Sequence, residues 1–193
     1  MKILMFFLIL LSFGCKSDPD FLTVSNQETL DLNDFKKIES ISRSTITKED
    51  EPGEKLLLCL KYIDKENKKP LLNQEVKFYH TSDLGEYDPA DPEDESTARL
   101  KGTAVTNRRG RIYIETILPG DYGSSDDNRH IHSIVKGAKP ETYDIHFLQY
   151  TGFMGKRFIE NSDQHFLAEL KYNKDSTLVA FLTIEVKQPV LKN

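Results

Sequence analysis

The stretch Asn107-Arg108-Arg109-Gly110-Arg111-Ile112-Tyr113-Ile114-Glu115-Thr116-Ile117-Leu118-Pro119-Gly120-Asp121-Tyr122 carries the pattern on which the fold reading rests. Arg111, Tyr113 and Glu115 alternate with Ile112, Ile114 and Thr116, the two-residue period of a half-buried strand. Turn-formers close it at both ends: Asn107 to Gly110 before, Pro119-Gly120 after. Working outward from this strand, predicted over Gly110 to Thr116, the same grammar recurs at Lys55 to Asp64, Glu75 to His80, Ile131 to Val135, Tyr143 to Gln149 and Leu178 to Val186. Pro52-Gly53, Pro70, Gly85, Gly102 and Lys136 to Pro140 separate these runs. Short strands at such spacing predict an all-β, antiparallel β-sandwich with irregular loops and little helix. Phe166 to Tyr172 fits helix or strand equally well.

Composition narrows the function classes. The chain has 193 residues, with 26 Lys plus Arg against 31 Asp plus Glu, for a formal charge of −5. That length suits one core of useful size. With 38% hydrophobic and 10% aromatic residues, wholesale disorder is excluded. Nucleic-acid binding is disfavoured, because phosphate neutralisation needs a basic face and there is no Lys/Arg stripe. No Gly-x-Ser-x-Gly elbow, P-loop or dinucleotide glycine fingerprint appears.

Before the strands comes a different composition. Met1 and Lys2 precede an apolar run from Ile3 to Phe13, which ends at Gly14-Cys15. Eleven helical residues span about half of a hydrocarbon core of roughly 30 Å, so the run reads as an export signal over 1–14. Residues 15–50 are rich in Ser, Thr, Asp, Glu and Lys and read as a tether and accessory segment, with a short helix expected near Leu32 to Ile41. The predicted β domain occupies 51–193. Leu11-Ser12-Phe13-Gly14-Cys15 resembles a bacterial lipobox, which implies lipidation at Cys15, a lipid anchor, and an exported lipoprotein of the cell envelope. Cys59, within Leu56-Leu57-Leu58-Cys59-Leu60, then reads as a buried small hydrophobe.

Two acidic patches, Asp88 to Glu95 and Asp121 with Asp126 and Asp127, lack the ligand order of a calcium loop and read as solvated loops. His130-Ile131-His132 is more informative. On a strand, residues i and i+2 share a face, so two imidazoles are offered to one metal. Tyr87 and Tyr122 stand at turns nearby in sequence. Two phenolates with two imidazoles suit a hard ferric ion, whereas zinc more often recruits thiolates or a third histidine.

Read in order, several segments resemble the intradiol ring-cleavage dioxygenases, the family of catechol 1,2-dioxygenase and protocatechuate 3,4-dioxygenase. They are Pro52 to Leu56, Pro70-Leu71, Val76 to His80, Gly85-Glu86-Tyr87, Gly102 with Thr106 to Gly110, Thr116 to Tyr122, and His130-Ile131-His132. The resemblance implies a prealbumin-like sandwich with a mononuclear non-haem Fe(III) at one end, held by Tyr87, Tyr122, His130 and His132. It implies a small aromatic diol and O₂ as reactants, and Tyr122 as the ligand that leaves the metal to take up a proton. His80 is implied as a supporting residue, not a ligand.

The departures from the family pattern are specific. An arginine is common three residues before the first histidine, where this chain has Asp127. Arg129 is the remaining candidate for that catalytic charge, although as the neighbour of His130 its side chain starts on the opposite face. The usual glutamine falls near Phe147, with Gln149 two places on. His146 and His165 have no sequence partner at metal spacing. The rival reading is a non-catalytic prealbumin-like binding module of an envelope lipoprotein, which shares the strand and turn grammar but has no use for the Tyr/Tyr/His/His set.

Overall fold

The computed structural model describes residues 21–189; the export signal over 1–14 and Cys15 lie outside the described residues. In chain order the strands are β1 (Leu22–Thr23), β2 (Arg43–Thr45), β3 (Lys55–Asp64), β4 (Glu75–His80), β5 (Leu100–Val105), β6 (Arg111–Ile117), β7 (His130–Val135), β8 (Thr142–Phe147), β9 (His165–Ala168), β10 (Lys171–Tyr172) and β11 (Leu178–Val186). Two α-helices join them, α1 (Asn26–Lys36) and α2 (Lys156–Glu160), with short 3₁₀ turns at Ser40–Ser42 and Glu95–Thr97. The strands form two packed sheets, ordered β1-β10-β11-β3-β6-β2 and β5-β4-β7-β8-β9.

The sandwich expected from the sequence is present, but its sheets are mixed and not purely antiparallel. β11 runs parallel to β3, β9 to β8, β2 to β6 and β1 to β10. A parallel neighbour requires a long crossover. Residues 148–164, with α2, supply it between β8 and β9, and the whole second sheet intervenes between β3 and β11.

Alternation along the strands divides core from surface. Leu56, Leu58, Leu60 and Tyr62 of β3 face Val76, Phe78, Ile131, Val135, Ile145 and Phe147 of the smaller sheet in one buried cluster. Two polar links cross this interior. Tyr62 Oη lies 2.8 Å from Ser133 Oγ. His80 Nε2 lies 2.7 Å from Thr116 Oγ1. The His80 Nδ1 faces the Thr81 carbonyl at 2.7 Å and must donate to it, so Nε2 accepts from the threonine hydroxyl. The supporting role read for His80 is what the fold shows.

The accessory segment docks on the outer face of the larger sheet. Leu32 and Phe35 of α1 pack with Cys59, Tyr113 and Val179, which buries the thiol as expected. This helix begins earlier than the predicted Leu32 to Ile41, because Ser25 and Glu28 form a reciprocal capping box at its start. Gly102, read as a turn, lies inside β5; a Cβ there would stand 2.5 Å from Ser44 Oγ of the crossing β2. Phe166 to Tyr172 resolves into the short strands β9 and β10.

Tyr62→Phe leaves the Ser133 hydroxyl buried without its partner, and a stranded buried hydroxyl costs about 1–3 kcal/mol. The urea midpoint of that variant is expected to fall at constant m-value; an unchanged midpoint would contradict the cross-sheet link.

Candidate metal centre

The outer face of the smaller sheet is where the chemistry-bearing side chains collect. In β7, Ile131, Ser133 and Val135 point inward, so His130 and His132 point out. In β8, Tyr143, Ile145 and Phe147 point inward, so Asp144 and His146 share the outer face. Pairing sets His130 beside His146 and His132 beside Asp144. Tyr79 of β4 pairs His132 on the other side and stacks on its ring at 4.5 Å. The resemblance placed the metal at one end of the sandwich; the register puts these residues on the sheet's outer face, where β7 begins.

Two loops bring the tyrosines over this face. Gly85 (φ +82°) and Gly120 let the loops touch backbone to backbone: a Cβ on Gly85 would sit 1.9 Å from the Asp121 carbonyl oxygen, and one on Gly120 would sit 2.3 Å from that of Asp83. Only glycine tolerates both the left-handed φ and that approach. Gly120 N–H donates to Ser82 O at 2.8 Å, closing the contact. The first loop is held at its far end by Arg99, which donates its backbone N–H to Tyr87 O at 2.9 Å and its guanidinium twice to Glu51, each at 2.8 Å.

The resulting geometry brings one phenol oxygen and two imidazole nitrogens together. Tyr87 Oη lies 2.9 Å from His132 Nε2, and His132 Nε2 lies 3.1 Å from His130 Nε2. Each imidazole is oriented by its other nitrogen. His130 Nδ1 meets the Asn128 carbonyl at 3.0 Å, and His132 Nδ1 meets Asp144 Oδ1 at 2.7 Å. Both Nδ1 atoms therefore donate, and both Nε2 atoms present lone pairs to each other. With the Tyr87 oxygen beside them, the two Nε2 atoms are disposed as nitrogen donors that one metal ion could share. Two ligands at about 2.1 Å and a right angle stand about 3.0 Å apart, so the spacing fits a metal.

Electrostatics agrees with this arrangement. Burial, then the neighbouring His132, lowers the His130 pKa and keeps its ring neutral. Burial pushes Asp144 up, but the His132 hydrogen bond and the surrounding imidazoles outweigh it and leave the carboxyl below its usual range. Burial holds the Tyr87 phenol well above its usual range, and nearby carboxylates add to the shift. Ionising Tyr87 therefore requires a strong local cation.

Tyr122 lies at the rim of the same cavity, 40% exposed. Its ring is 5.2 Å from that of Tyr87, and its hydroxyl donates to Glu95 Oε1 at 2.7 Å, a bond that raises the phenol pKa. Arg129 is placed elsewhere. It lies over the Tyr150 ring at 4.3 Å, with Nε 3.6 Å from Asp121, and does not line the cavity. Gln149 bonds the backbone of Leu170, and Phe147 is in the core, so neither reaches the site. His146 lies there instead, stacked at 5.3 Å on His130. The sequence reading missed Asp144 and His146, although Asp144-Ile145-His146 repeats the two-residue spacing of the first pair.

A family model described as Dioxygenase matches residues 35–189. The dioxygenase domain of a dioxygenase carbohydrate-binding protein fusion from Streptomyces sp. SirexAA-E superposes with a TM-score of 0.57 at 18% identity, covering 80% of this chain and 93% of that one. An intradiol ring-cleavage dioxygenase from Tetranychus urticae gives 0.56 at 20% identity, covering 80% and 90%. Catechol 1,2-dioxygenase from Acinetobacter sp. ADP1 gives 0.58 at 18% identity, covering 76% of this chain and 57% of that one. At these identities the shared property is the fold. No curated protein matches the sequence.

Acid lability follows from the buried imidazoles. Burial lowers His80 and His146 to about 4 and moves His130 down from 6.5. Below about pH 6.5 the unfolded chain takes up protons that these folded rings refuse, so stability is lost as pH falls from there to about 4. Urea midpoints should drop between about pH 7.5 and 5, and His146→Gln should flatten part of the drop. Midpoints independent of pH over that interval would contradict the assignment.

Proposed function

The chain belongs to the dioxygenase family and has the fold of its intradiol ring-cleaving members, and from that premise we propose that it inserts O₂ into a catechol-type aromatic diol between the two hydroxylated carbons. The observation that carries the proposal is that His132 Nε2 lies 2.9 Å from Tyr87 Oη and 3.1 Å from His130 Nε2, with both Nδ1 atoms pinned. Tyr87, His130 and His132 would hold the metal, with Tyr122 as the fourth ligand from the cavity rim. The donor set is anionic oxygen with nitrogen, which favours Fe(III). Bound there, ferric iron supplies the Lewis acidity that chelates a diol and activates it toward O₂.

The protein's own groups bind the substrate and handle its protons. The cavity has a volume of about 450 Å³, within the range of small-molecule sites. Phe153 and Met154 give it an apolar wall for a flat ring. As a phenolate, Tyr122 would take up one proton from the entering diol, and the hydroxyl so formed donates to Glu95, which is open to solvent and would pass that proton out. No lysine or arginine stands among the described residues lining the cavity, while Glu95 and Asp144 do. An uncharged diol is therefore favoured over a carboxylated one, whose buried charge would lack a partner. If residues 1–14 act as export signal and Cys15 is acylated, the domain works at a bacterial envelope membrane.

Loaded with Fe(III), the full chain is expected to show a visible tyrosinate-to-iron band and to consume O₂ with catechol. Tyr122→Phe should slow uptake by about 10²–10⁴-fold, the usual contribution of a positioned proton-transfer group. A ring-carboxylated catechol should be at least about tenfold poorer in kcat/KM. A colourless loaded protein, or equal rates on both substrates, would overturn the proposal or its specificity respectively.

A further inference from the structure

Four of the five histidines stand on one sheet face, yet the proposed centre uses only two of them. Beyond His130 and His132 lies a second group. Asp144 of β8 pairs His165 of the parallel strand β9, and His146 lies one outward-facing position along β8. His146 Nε2 is 3.0 Å from His165 Nδ1, and His165 Nδ1 is 3.5 Å from Asp144 Oδ2. The ligand atoms of all three side chains fall within 4.8 Å of one another.

We propose that Asp144, His146 and His165 form a second, divalent-cation site beside the first. Cis ligands at about 2.1 Å stand roughly 3.0 Å apart and trans ligands about 4.2 Å, so small side-chain rotations close this set on one ion. Two imidazoles with one carboxylate are the donors of Zn(II), Fe(II) and Co(II) sites with open positions. His146 is buried in the sheet, whereas the His165 side chain is 23% exposed and offers an entry path. Phe158 of α2 flanks it, with its ring 5.7 Å from that of His165. Asp144 serves both sites without bridging them: Oδ1 takes the His132 Nδ1 proton, and Oδ2 faces the second set. The inference is independent of what the first site turns over.

Equilibrium dialysis of the full chain against Co(II) tests it. The unmodified protein is expected to bind two equivalents and His165→Ala one. His165→Asp, which restores an oxygen ligand, should regain the second equivalent with weaker affinity. Tyr87→Phe, directed at the first site, should leave the His165-dependent equivalent in place, so failure of one site is distinguishable from failure of the other. Identical binding by the unmodified protein and His165→Ala would overturn the second site. So would loss of all binding in both His165 variants.

Discussion

The register between β7 and β8 is the constraint on which everything else depends. Because side chains alternate, a slip of one residue would turn His130 and His132 inward and expose Ile131 and Val135. The core prevents it. Ile131, Val135, Tyr143, Ile145 and Phe147 are all fully buried, and fully burying such a side chain contributes about 1.5–3 kcal/mol. Exposing several together would cost on the order of 10 kcal/mol, comparable with the whole stability of a domain, about 5–15 kcal/mol. The hydrophobic interior thus holds the polar face in place, and the ligand geometry is a by-product of packing on the other side of the sheet.

The strands fix the imidazoles, and the loops set the phenols. Interlocked glycines bring Gly85 against Asp121 and Gly120 against Asp83, so the two tyrosine-bearing turns are packed backbone to backbone. Their tyrosines nevertheless sit differently. Tyr87 is buried against Tyr79 and Ala98 and bonded to His132, a seated position. Tyr122 is at the cavity mouth with its hydroxyl on Glu95. Under the proposed function this asymmetry fits separate work, Tyr87 as the constant donor and Tyr122 as the group that approaches and leaves. Nothing in the residue types alone distinguishes them.

Much of this is legible in the sequence. Alternation in Arg111 to Thr116 marked a strand, and the i, i+2 histidines marked a shared face. Turn residues gave most strand limits. What escaped the reading depends on distant parts of the chain. The parallel return of β11 to β3 is set by sandwich closure, which no local pattern encodes. Gly102 looked like a turn because the crossing Ser44 that requires it lies far away in sequence. Asp144 and His146 share the i, i+2 spacing within β8, but His165 joins them only through the parallel pairing of β8 with β9, which no local pattern encodes. Arg129 was the nearest cation in sequence, but Tyr150 and Asp121 hold it outside the cavity.

The central claim is that His130, His132 and Tyr87 converge on one ferric ion. X-ray absorption at the iron edge of the Fe(III)-loaded full chain tests it most directly. The account predicts a first shell of nitrogen and oxygen at about 2.0–2.2 Å, with the multiple-scattering signature of two imidazoles that falls to one in His130→Ala. An all-oxygen shell without imidazole scattering, or a spectrum unaltered by that substitution, would contradict it.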